Sequence, residues 1–326
     1  MTRLILAGDS GPNLFRADLA DLVVYFPSRF VWGPLPSADK LASYLGARLP
    51  DHRPADHWLT YVGRWPAAIK ASRDLGLLEF CLQFETVELW FDPAPNNQLQ
   101  LIWLLDYFRP HPQVVSRLRL RLVDFDLTDI PQTGLGNWKV HDFGVSAAEL
   151  ETASRAWQAY RSATPEACLA LLATDLSALL LLKPALLELL AELPSATTGL
   201  GATEMRMLEM LARGYLNVNP LFYLCGLRGT RVFDQWELER LLEGLAHGPT
   251  PAVAGLDDEL RTIDKNNHRL RHEPFLRSRM SLTDFGEAVV AHKEDFSRHN
   301  PIDRWWGGTR LTSDHLWRWN PMLMKP

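Results

Sequence analysis

The chain holds only three cysteines, Cys81, Cys168 and Cys225, odd in number and far apart. They build neither a disulfide framework nor a CxxC metal site, and a reducing, cytoplasmic setting is expected. Long apolar runs are missing as well. The greasiest stretch, 177–182, lies between Asp175 and Lys183 and is far shorter than the roughly 20 residues a membrane span needs. No signal-peptide pattern follows Met1-Thr2-Arg3, and no membrane contact is expected. Nor is positive charge in excess: 34 Lys+Arg against 39 Asp+Glu leave a net charge of -5. This excludes a protein held to nucleic acid or anionic lipid by bulk charge alone. GxxxxGK[ST] does not occur, and Gly8-x-x-Gly11 is not GxGxxG, so neither a Walker site nor a dinucleotide fingerprint is supported.

What is present is core-forming material. Hydrophobic residues make up 47 % of 326 positions, enough for two or three folded domains. Apolar runs at 4–7, 22–26, 87–91 and 118–123 read as strands, the last with Arg119 and Arg121 alternating outward. Segments 38–49 and 98–108 carry helical spacing between them. Strands separated by helices predict a small, parallel, Rossmann-like α/β sheet domain over residues 1–142. From Ser146 the pattern turns wholly helical, with a break or restart at Lys183-Pro184, giving an all-α linker region over 143–200. Thr203 opens a third unit: helices at 203–213, 219–225 and 234–246 (capped by Asp234), a strand at 279–282, and a helix capped at Thr283-Asp284. This order predicts a winged-helix-like α+β module over 201–326.

The strongest local feature is the passage from the first strand through Gly8-Asp9-Ser10-Gly11-Pro12-Asn13 into a helix. Ligands of open α/β sheets bind at such strand ends, so Gly8, Asp9, Ser10, Gly11 and Asn13 are candidate ligand residues; helix capping by Ser10 or Asn13 is the structural alternative. A second carboxylate, Asp92, ends the third strand and is followed by Asn97 and Gln98, which either touch the ligand or cap the next helix. With strands one and three adjacent, Asp9 and Asp92 would share a rim and hold a hard cation such as Mg²⁺. Phosphate there would need that metal or Arg64 to offset the acids.

Other clusters favour structure over chemistry. His268 and His272 share a helical face, but Arg269 breaks HExxH. His52 and His57 stand in a loop. Gly8-Asp9-Ser10 resembles the nucleophile block of GDSL-type esterases, and Gly134-Leu135-Gly136-Asn137 their oxyanion-hole block; the Asp-x-x-His block that supplies the base does not occur near the C-terminus. Six basic residues between Arg261 and Arg279 suit a DNA-binding wing. Against that, Asp234, Glu237, Glu239 and Glu243 crowd the candidate recognition helix against Arg240 alone, so nucleic acid is not favoured over a protein partner. Finally, 303–319 concentrates four of twelve tryptophans. Such a segment docks through aromatic burial and is expected to pack on the α/β unit, with Arg304, Trp305 and Arg310 either in ion pairs or facing an anionic ligand.

Gly8-Asp9-Ser10, Gly33-Pro34-Leu35, Leu89-Trp90-Phe91-Asp92 leading to Gln98-Leu99-Gln100-Leu101, and Asp303-Arg304-Trp305-Trp306-Gly307-Gly308 with Trp317-Arg318-Trp319 together resemble the bacterial family built around domain of unknown function 1835. The resemblance spans nearly the whole chain and carries no established activity. It also implies losses. Where the family reads Trp-Phe-Glu-His-Asp-x-x-Asp-Gln, Pro93, Ala94 and Asn97 replace the His and two Asp, and Leu4 replaces a His near the first strand. A non-catalytic relative is implied. The reading is therefore a ligand-binding or regulatory protein for a small anionic or nucleotide-like ligand, with a metal-assisted hydrolase as first alternative and a DNA-binding regulator as second.

Overall fold

The computed structural model describes residues 3–9, 11–16, 20–50, 53, 56–61, 72–123, 127, 141–219, 221, 231–256, 273 and 276–326. The chain divides into two compact units, Met1–Phe30 with Pro34–Ser162 and Ala167–Leu186, and Val31–Gly33 with Ala163–Glu166 and Leu187–Pro326. The stretch 143–200, expected as a region of its own, is shared between them.

In the first unit the order is β1 (Arg3–Ala7), α1 (Gly11–Arg16), β2 (Leu22–Tyr25), α2 (Ala38–Leu45), a 3-10 turn at Trp58–Tyr61, α3 (Leu77–Cys81), β3 (Thr86–Phe91), α4 (Pro95–Phe108), α5 (Pro112–Val115), β4 (Leu118–Leu122), β5 (Phe143–Gly144) and α6 (Ala147–Tyr160). The strands form one sheet in the order β2-β1-β3-β4-β5. β1 pairs parallel with β2 and β3, and β3 with β4, while β5 runs antiparallel to β4. The sheet is thus mixed where an all-parallel one was expected, because a two-residue edge strand is too short to carry a periodic signal.

Both faces of the sheet are buried, which explains why its strands read as unbroken apolar runs. Leu4, Leu6, Val24, Val87, Leu89, Leu118 and Leu120 fill one face. On the other, Ile5, Ala7, Val23 and Trp90 form a cluster with Leu14 of α1, Val123 and Leu127. Central to the unit is α4, buried along nearly its whole length and packed along α6. Pro95 occupies its first turn, where a missing amide costs nothing, so the helix begins three residues before the expected position 98.

α7 (Glu166–Leu172) and α8 (Leu182–Ala191) have residues in both units. The second unit continues with α9 (Ala202–Ala212), α10 (Gln235–His247), β6 (Val253–Ala254), β7 (Ser281–Leu282), α11 (Asp284–Val290), α12 (Phe296–His299), β8 (Asp303–Trp306), β9 (Thr309–Thr312), β10 (Arg318–Trp319) and β11 (Leu323–Met324). Its strands pair as three small antiparallel sheets, β6-β7, β8-β9 and β10-β11. α9 packs against α10 and α11. The Asp234 cap forms as read: its carboxylate accepts the Glu237 amide at 2.9 Å and Glu237 accepts the Asp234 amide at 2.8 Å. Among the described residues no helix is long and apolar enough to cross a membrane.

The tryptophan-rich tail docks within its own unit. Trp306 is buried and its indole N–H donates to the Leu189 carbonyl of α8 at 2.6 Å. Arg318 donates to the Ser195 carbonyl and the Ser297 hydroxyl, both at 2.8 Å. Trp317 is buried too, but its indole N–H has no partner among the described residues.

Candidate functional site

Because β2 and β3 lie on opposite sides of β1, the connections leaving β1 and β3 part at their C-terminal ends. This is the crevice where open α/β sheets take their ligands. Asp9 and Asp92 both emerge there, and the first turns of α4 fill the gap between them with amides: Asn96, Asn97, Gln98 and Gln100, all buried.

These amides hold the rim in place. Asn97 bridges the two strand ends, accepting the Asp9 backbone N–H at 2.8 Å and donating to Asp92 Oδ1 at 2.6 Å. Gln98 donates to the Asp92 carbonyl at 2.7 Å. Asp92 itself is fully enclosed; besides Asn97 it accepts the Ala94 amide at 3.0 Å and the Leu127 amide at 3.3 Å. It is therefore a buried bracket for the β3–α4 turn.

Asn96 and Gln100, one helical turn apart, fasten the segment after β2. Gln100 Nε2 donates to the carbonyls of Phe26 and Ser28, each at 2.7 Å, and to Asp9 Oδ1 at 3.1 Å. Asn96 Nδ2 donates to Ser28 O at 3.1 Å and Asp9 Oδ2 at 3.0 Å, while its Oδ1 accepts the Phe30 amide at 2.8 Å. Turning the Gln100 amide over would set its oxygen against three others, so its orientation is fixed; Oε1 stays buried without a partner among the described residues. Aromatic rings finish the clamp: Phe26 and Phe30 meet Trp103 edge-on, Phe30 packs on Trp157, and Tyr160 donates to the Phe30 carbonyl at 3.1 Å. Arg29, held in this segment, pairs with Asp9.

The glycines of Gly8-Asp9-Ser10-Gly11 serve the same packing. A Cβ on Gly8 would fall 2.2 Å from Asn97 Oδ1 and 2.6 Å from Gln100 Oε1, and one on Gly11 would fall 2.1 Å from Tyr25 Cβ. They admit neighbouring side chains, not a phosphate. Ser10 and the side chain of Asn13 lie outside the described residues, as do Arg64, His52, His268, His272, 134–137 and most of 261–279.

The expected Asp9–Asp92 metal pair does not fit its surroundings. Every polar group on the two carboxylates named above is an N–H donor, including a guanidinium, and such donors repel the hard cation that oxygen ligands would attract. Among the described residues no three His, Cys, Asp or Glu gather as a metal-ligand set. Arg304, Trp305 and Arg310 belong to the second unit. Arg304 donates to Glu204 at 2.8 Å, Arg310 makes two bonds to Asp303 across the hairpin at 2.9 and 2.8 Å, and Trp305 is half-buried opposite Arg310. The acids of α10 are not the repelling face expected of them: Glu237 is spent on the cap, Glu239 is buried, and Glu243 pairs with Arg240.

Sequence reasoning missed the open space beside this rim. A cavity of about 430 Å³ is lined by Ser28, Lys40, Leu41, Tyr44, Arg53 and Asp56 among others. Ser28 joins it to the rim, its carbonyl fixed by Asn96 and Gln100. Arg53 is paired with Asp56 at 2.7 Å, whereas Lys40 has no ion pair among the described residues. Four uncharged amides opening an otherwise Leu-, Ile- and Trp-rich helix were the available signal for a buried polar rim; nothing in the spacing of Lys40 and Arg53 marks them as neighbours. No protein-family model matches the chain, and no curated relative matches it.

Proposed function

We propose that the protein binds a small anionic ligand in the cavity beside the C-terminal rim of its first sheet, as a ligand-binding or regulatory protein. The observation that carries this reading is the cavity itself: its volume lies within the range of small-molecule sites. It offers the Lys40 ammonium, without an ion pair among the described residues, the Ser28 hydroxyl, and an aromatic and aliphatic wall from Tyr44 and Leu41. Among the described residues of its lining, Lys40 and Arg53 outnumber the single carboxylate of Asp56, so a phosphate or carboxylate group is the complementary charge. The strand order supports a Rossmann-like reading of the first unit. The succession of α9, α10, β6, β7 and α11 supports a winged-helix-like second unit. Kinship with the family of domain of unknown function 1835 belongs to the same proposal. The first alternative, metal-assisted hydrolysis, loses its support with the Asp9–Asp92 pair.

Thermal-shift and calorimetric titration with inorganic phosphate, nucleoside mono- and triphosphates and short dicarboxylates test the reading. At least one should raise the melting temperature, and Lys40→Ala should weaken its binding about tenfold, or about 1.4 kcal/mol. Absence of binding by all of them, or binding indifferent to Lys40→Ala, would overturn it.

A further inference from the structure

Three segments of the second unit meet on a small buried cluster apart from the cavity. Helix α9 begins at Ala202 with Gly201 as its cap, and glycine has no side chain to offer the first amides. Glu192, just beyond the end of α8, reaches over instead: Oε2 accepts the Thr203 amide at 3.1 Å and Oε1 the Thr203 hydroxyl at 2.6 Å. Glu204 accepts the Gly201 amide at 2.9 Å and, on the same oxygen, the Arg304 guanidinium of β8 at 2.8 Å. The β8-β9 hairpin therefore holds to α8 through the Trp306–Leu189 bond and to α9 through Arg304, with Glu192 at the junction.

The charges do not balance. The groups that face Glu192 are Glu204 from α9 and Arg304 from β8; Asp303 and Arg310 on the hairpin pair with each other. Arg304 is committed to Glu204, and its other terminal nitrogen is buried with no partner among the described residues. With both carboxylates ionised the cluster carries one uncompensated negative charge away from water, which is costly. One bound proton removes it.

We infer that docking of the β8-β9 hairpin on the α8–α9 junction is proton-linked through Glu192, the docked form keeping a proton that the loosened form releases. Burial pushes the Glu192 carboxyl up to about 7, with Glu204 adding to the rise and the Thr203 bonds and Arg304 opposing it. A carboxyl raised in the folded state contributes stability that is complete below its unfolded value and lost as pH rises through its folded value. Docking should thus be tightest near pH 4.5, loosen steadily as pH rises from there to about 7, and level off above.

The test is carboxyl-carbon NMR of the full chain, with the Glu192 signal assigned by its loss in Glu192→Gln. Alongside it, hydrogen-exchange protection of 303–312 is measured across pH 5.5–8.5 after correction for intrinsic rates. The expected result is a Glu192 titration near 7 and hairpin protection that falls at least tenfold between pH 5.5 and about 7 and levels off above, a slope that Glu192→Gln flattens. A Glu192 titration in the ordinary carboxylate range, or hairpin protection in the unaltered protein that stays level across that span, would overturn the inference even if Glu192→Gln failed to fold.

Discussion

Asn97 is the residue on which the rim turns, and Asn97→Ala measures how much. The substitution removes two bonds at once. The donation to Asp92 is charge-assisted, a class that contributes about 1.5–3 kcal/mol, and the bond accepted from the Asp9 amide contributes about 0.5–1.5 kcal/mol. Asp92 Oδ1 keeps the Ala94 amide, so the lower end applies to the first bond, and a total loss of about 2–3 kcal/mol is expected. Asn97→Asp is the sharper control. It retains an acceptor for the Asp9 amide but sets a second carboxylate against an enclosed one, and should destabilise more than alanine does. Urea unfolding followed by far-UV circular dichroism reads both, comparing midpoints at an unchanged slope for the transition of the first unit. A loss under about 1 kcal/mol for alanine, or an aspartate variant as stable as the parent, would refute the bridging role.

Gly8→Ala should cost at least as much as an overpacked core substitution, about 1–3 kcal/mol, because its Cβ would meet Asn97 and Gln100; thermal unfolding checks it, and a neutral effect would mean the amides yield freely. Glu88 makes a prediction in the acid range. Burial pushes its carboxyl up, but bonds from Arg3, Arg121 and Trp90 outweigh this and hold it below the usual carboxylate range. Its stabilisation is full above the unfolded value and is lost as pH falls through the lower folded value. Stability against urea should therefore drop as pH falls below about 4, and Glu88→Gln should remove this dependence while costing about 2 kcal/mol at pH 7. A parent and variant with parallel acid profiles would contradict it.

Much of this architecture is legible in the sequence because burial on both sides of a sheet leaves apolar runs, and β1 to β4 each lie within one residue of the run that marks them. Caps were equally readable at Asp234 and Thr283, where side chain and amide lie within a turn of each other. The cap of α9 was not, since Glu192 stands nine residues before Gly201 and acts only after the chain has folded back. The site divides the same way. Asp9 and Asp92 were visible as polar residues closing strands, but polarity alone does not separate a group that awaits a ligand from one already surrounded by donors. Their saturation comes from Asn96, Asn97 and Gln100 across a crossover connection, and from Arg29 on another loop. No local pattern encodes such long-range pairing.

The stretch from Phe26 to Phe30 is moored by two amides from a single helix, where a sheet would use a neighbouring strand. A ladder that slips by two residues finds equivalent partners again; Asn96 and Gln100 present fixed hooks with no second set to fall back on. Insertions or deletions inside these five positions should be rejected, while a change in what Ser28 carries as its side chain leaves the mooring untouched. The wall of the cavity can in this way vary its chemistry among variants while its position stays indexed to α4.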